Sequence, residues 1–163
     1  MSYDIISKSS DKRFKCNNWA WPRYLAVGTA FGWVPAGAVF PSNFGVVPTS
    51  QSYFGNDWQQ VTDHDALAFG AALELAIAAI NAESPMTDSQ EAALKEFEVT
   101  SDDPYTDLPP KVQAFIIEFI EQSRAEHPPI VRTIQTQRGS FNVDIHGIID
   151  LADVVSAGGF FIA

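Results

Sequence analysis

From Ala66 to Ala82 the chain has a single ionisable side chain, Glu74. A helix on a protein surface needs a polar face, so one that is apolar nearly all round has to be covered on most sides by the rest of the fold. Thr62 with Asp65 three residues on reads as a capping box in which Asp replaces the usual Glu or Gln, and Ser84 with Pro85 ends the helix. Ala66, Phe69, Gly70, Leu73, Ile77 and Ile80 line one face, and Leu67, Ala71, Leu75 and Ala78 line another. With both faces apolar, the expected place for this helix is the centre of the domain.

The other elements are arranged around it. Residues 3 to 6 read as a short first strand. Trp21, Tyr24, Leu25, Gly28 and Phe31 recur at the three-and-four spacing of one helix face, with Asn17 or Asn18 as cap, Pro22 tolerated in the first turn and Gly32 as terminator. Residues 33 to 60 are broken by Pro and Gly and read as a long loop with at most one short strand near Ala38 to Phe40. Thr87 or Asp88 opens a shorter helix through Glu98, with Ala93, Leu94 and Phe97 as its buried side. A turn-rich stretch, residues 100 to 110, leads to a helix from Pro110 to about Glu126. There Val112, Phe115, Ile116, Phe119 and Ile120 form the apolar face, and Glu118, Glu121 and Arg124 are left for water. Residues 130 to 143 do not decide between strand and helix. Asp144 caps a last helix that ends at Gly158, and Phe160 to Ile162 read as a closing strand. The expected fold is mainly α: one compact domain, residues 1 to 163, of about five helices around a buried central helix, with short strands near the termini.

Charge narrows the class of partner. The formal net charge is -10, and residues 24 to 110 hold Lys95 alone against twelve acidic residues. So acidic a middle repels phosphate backbones and argues against a nucleic-acid partner; it suits a basic protein partner, and it also serves plain solubility. No segment reaches the ~18 uncharged apolar residues of a membrane span, and the first residues lack the apolar core of a secretory signal. The one cysteine, Cys16, cannot form an internal disulfide, which points to a reducing, cytoplasmic setting.

No catalytic constellation is legible. His64 lies between Asp63 and Asp65, but consecutive helical residues point in different directions and do not share an ion. His127 and His146 have no motif around them. Cys16 beside Lys15 could have a lowered thiol pKa, although a passive cysteine is the stronger reading. Glu74 has to pair, take up a proton or reach the surface. Phosphate-cradling glycine motifs and paired cysteines are absent, and neither a cofactor nor a metal is expected.

The loop YFGNDW has more to offer. Tyr53, Asn56, Asp57 and Trp58 combine stacking rings with orienting polar groups, and Trp19, two residues from Trp21, cannot face the same way as its neighbour, so these five are the candidate binding residues. A tight turn anchored by its rings explains the same loop equally well.

The strings WAWPRYLAVGTAFGWVPAG, YFGNDWQQVTDHDALAFGAALELAI and GGFFI together resemble a group of small uncharacterised bacterial proteins. The resemblance covers roughly the first half and the last few residues. It implies no established activity and carries over no catalytic residue. The expected function is therefore a protein-interaction or binding module, with a small-ligand protein or enzyme, its pocket between the 33 to 60 loop and the central helix, as the alternative.

Overall fold

The computed structural model describes residues 2–39, 53–55, 58–100 and 108–163. Among these are five helices and six strands: β1 (Ser2–Ser7), β2 (Arg13–Asn17), α1 (Trp21–Ala30), β3 (Gln59–Val61), α2 (Asp63–Asn81), α3 (Asp88–Lys95), α4 (Pro110–Glu126), β4 (Val131–Thr136), β5 (Gly139–Asp144), α5 (His146–Val155) and β6 (Phe160–Ile162). The strands form two antiparallel sheets, so the fold mixes α and β and the mainly α expectation is wrong. The first sheet is ordered β2-β1-β6-β3 and the second is the β4-β5 hairpin.

Alternation explains the larger sheet. Tyr3, Ile5 and Ser7 of β1 point inward while their neighbours are half exposed, and Phe160 and Ile162 of β6 do the same. The register aligns Phe14, Ile5, Ile162 and Gln59 across all four strands, with Ser7, Phe160 and Val61 in the next row. Gln59 is the polar member of the buried row. β6 was legible from its apolar sequence. β3 was not, because three residues with Gln at two positions carry little strand signal; their pairing comes from β6, and Val39 bridges to Gln60 on the outer side.

The inner face of this sheet meets α1, through Tyr3 on Trp21 and Phe14 on Tyr24, and α5 along β1 and β2; α2 packs on α1 and α5 in turn. Gly28 lets α1 approach α2, since a Cβ there would lie 2.5 Å from the Phe69 ring. α1 ends as expected at Gly32, whose φ of 100° allows Gly32 N to reach Thr29 O and Trp33 N to reach Gly28 O, the paired bonds of a Schellman stop. Asn17 accepts from the Trp19 and Ala20 amides ahead of the helix. Gly70 similarly lets α2 cross α5, with Ser156 against it.

α2 is not enclosed. Ala66, Phe69, Gly70, Leu73 and Ile80 are buried, but Leu67, Ala71, Leu75 and Ala78 are exposed, and the helix rests on the core by one face. Its sequence is dominated by Ala, whose small side chain tolerates either environment, and that made the second face look buried. Glu74 reaches the surface, where it accepts a hydrogen bond of 3.1 Å from Ser156 Oγ at the end of α5.

Residues 131 to 144 resolve as a hairpin. Ile134 and Val143 are its buried residues, the turn closes at Gly139 with φ 139°, and Glu98 adds a bridge to Val143. α3 carries the capping box of Thr87 and Gln90 and buries Ala93 and Leu94.

Candidate functional site

A hydrogen-bond network at the start of α2 holds Tyr53, one of the expected binding residues, inside the fold. Thr62 accepts from the Asp65 amide, as a capping box requires, but the Asp65 carboxylate does not return the bond. Asp65 is 2% exposed, and its Oδ1 accepts from Trp33 Nε1 at 3.0 Å and from the Ala36 amide at 3.2 Å, while Oδ2 takes the Tyr53 hydroxyl. The Tyr53 oxygen in turn accepts from the Gly37 amide at 2.9 Å. Burial, with the carboxylate next, pushes the Tyr53 phenol upward. Three donors from within the chain converge on the Asp65 carboxylate, and the Tyr53 hydroxyl both donates and accepts inside the fold, so the arrangement anchors residues 33 to 37 and Tyr53 on α2.

Of the other candidates, Asn56 and Asp57 lie outside the described residues. Trp58 is 57% exposed with φ 61°, its ring edge-on to Phe161 at 6.0 Å. Trp19 is 81% exposed. It follows β2, and Trp58 precedes β3; these are opposite edges of the sheet, three strand spacings or about 14 Å apart. The two indoles therefore do not form one surface with Tyr53. An apolar trough of about 220 Å³ does lie beside the loop, but between Leu25, Thr29, Trp33 and Tyr53, on α1 rather than α2.

Cys16 behaves as a passive cysteine. Burial, with a smaller contribution from Asp4, pushes its thiol up to about 12, the opposite of an activated nucleophile.

A larger cleft, of about 640 Å³, opens where β1 and β2 face α5 and the end of α4. Here the structure brings together two histidines that looked unrelated in sequence. His127 caps the C-terminus of α4 and His146 opens α5. Asp144 Oδ1 accepts from both the Ile130 and His146 amides at 3.0 Å, and Ile145 N donates to Ile130 O, so the chain after Pro128 and Pro129 is tied to the start of α5. The two imidazoles stand 5.9 Å apart between ring centres. Asp150, one turn along α5, places Oδ2 2.8 Å from His146 Nε2. Gly147 makes room beside them, because a Cβ there would fall 2.1 Å from the Tyr24 hydroxyl. The i,i+4 pair His146 and Asp150 was the one signal available in sequence; His127 was not foreseeable, since it arrives through the hairpin connection.

α4 is the other open feature. None of its residues is buried, and it packs extensively against no other element among the described residues. Phe115 is 70% exposed and Phe119 66%, and Val112 lies on the same side. The spacing 112, 115, 119 makes them one stripe.

No known protein family matches this chain, and no similar curated protein or solved structure was found. Among the described residues no helix is long and apolar enough to cross a membrane.

Proposed function

We propose that this chain is a protein-interaction domain that presents α4 as a docking ridge to a protein partner. The observation that supports it is the bare stripe of Val112, Phe115 and Phe119 on a helix with no buried residue. A helix of this length is marginal in water without tertiary packing, and amphipathic helices of this kind commonly lay their apolar face into a groove. Each large side chain covered by a partner would contribute roughly 1.5 to 3 kcal/mol.

The partner we propose has an apolar groove with a basic rim. The net charge of -10 and the glutamates Glu118 and Glu126 beside the stripe, against Lys111, favour that charge complement. The setting belongs to the same proposal: the lone Cys16, half-buried and with its thiol pushed up by desolvation, suits the cytoplasm.

The test is a photo-cross-linking side chain at position 119 in the native cell. The expected outcome is one discrete adduct whose partner peptide is apolar with flanking Lys or Arg. It should be lost in Phe115→Ser and weakened by salt. Adducts only with a second copy of this chain, or adducts indifferent to Phe115→Ser, would contradict the proposal.

A further inference from the structure

We infer that His127, His146 and Asp150 form a binding site for one divalent transition-metal ion of the zinc type. The first observation is convergence: each of the three residues offers one ligand atom, and these atoms lie within 4.8 Å of one another. In a tetrahedral zinc site with bonds of about 2.0 to 2.1 Å, ligand atoms sit about 3.3 Å apart, so His127 has only a small distance to close. It is exposed at the end of a loosely held helix and is free to do so.

The second observation concerns His146 itself. Both ring nitrogens are closed off from solvent and neither makes a hydrogen bond. Nε2 approaches Asp150 Oδ2 to 2.8 Å, but without the in-line geometry of an N–H···O bond. Imidazole nitrogens shielded from water and left without a hydrogen bond are costly, even on a half-buried ring. A cation between the two atoms turns the same approach into shared coordination, the relation that adjacent ligands of one ion have to each other.

Two imidazoles and a carboxylate match the three-ligand sets that hold zinc with a fourth position open. Here that position faces the cleft. Arg13 and Lys15 also line it, and Lys12 is drawn off by Asp153 at 2.5 Å; Asp4 and Asp150 offset the remaining charge. Water or a small anion held towards Arg13 and Lys15 is the natural fourth ligand. Because His127 ends α4 and the other two ligands belong to α5, the ion would also clamp the free helix to the body. That consequence follows from the site alone and does not depend on what α4 docks to.

The test is titration of the full chain with Zn²⁺ against a competing chromophoric chelator, repeated with Co²⁺ for its visible spectrum. One ion per chain is expected, with a tetrahedral Co²⁺ spectrum, and His127→Ala, Asp150→Asn and His146→Ala should each weaken affinity at least tenfold. His64→Ala, on the exposed start of α2, should not change it. Hydrogen exchange at residues 122 to 128 should slow at least fivefold when Zn²⁺ is bound. His127 is exposed, so its variant keeps the test valid even if His146→Ala fails to fold. Absence of saturable one-to-one binding, or binding that survives His127→Ala and Asp150→Asn unchanged, would overturn the site and leave a simple His-Asp ion pair.

Discussion

α2 and α4 are helices of similar length, 19 and 17 residues, and the fold treats them in opposite ways. α2 buries a full face, and the acid in its first turn gathers an indole, a phenol and a backbone amide from residues up to 32 positions away. α4 buries nothing and leaves two phenylalanines in water. Tyr53, the buried member of the expected binding residues, belongs to the first case: it is held inside the chain. Groups already satisfied by the fold have nothing left for a partner, and groups that the fold leaves unsatisfied are where binding energy remains.

The contrast can be broken most severely at Asp65. Asp65→Ala leaves Trp33 Nε1, the Ala36 amide and the Tyr53 hydroxyl without their acceptor, and should cost about 4 kcal/mol in denaturant unfolding, a large part of the stability of an ordinary domain. A loss below about 1 kcal/mol would show that the network is not the anchor described. Next in size is Gly28→Val, where the added side chain meets the Phe69 ring; overpacking of about 2 kcal/mol is expected, read from the shift in unfolding midpoint.

A smaller effect is expected in alkali. The folded Cys16 thiol lies at about 12, above its reference of 9.0, so the fold favours the neutral form. The stability this contributes is complete below the unfolded pKa and disappears as pH rises towards about 12. Burial moves the Tyr24 phenol in the same direction. Unfolding midpoints should therefore decline from about pH 9 upward, and Cys16→Ala should flatten that slope. The smallest effect belongs to α4: Phe115→Ser with Phe119→Ser should change stability by less than about 0.5 kcal/mol while abolishing the cross-link. Equal losses for the α2 and α4 variants would erase the distinction between the two helices.

Periodicity located α1, α2, α3, α4 and α5, because each carries apolar residues three and four apart with a recognisable start or stop. It did not say what covers a face. On the expected inner side of α4, Val112, Phe115 and Phe119 are exposed while Ile116 and Ile120 are half-buried, and the second apolar face of α2 is exposed. The sheet order was illegible for a related reason. β3 owes its existence to β6, a hundred residues away, and the β4-β5 hairpin alternates too weakly to separate from a helix by spacing alone. At the sites, Asp65 read as a capping residue because its local role is real, while its three distant partners are a product of tertiary structure. His127 and His146 meet only because Asp144 ties the segment after α4 to the start of α5.

Amide hydrogen exchange on the isolated chain, resolved to α2 and α4, tests the central contrast most directly. The account predicts that amides at 115 to 124 exchange at least a hundredfold faster than those at 69 to 78, because α4 opens without disturbing the core. Equal protection of the two helices would mean that α4 is already covered within the chain, and would contradict the docking ridge.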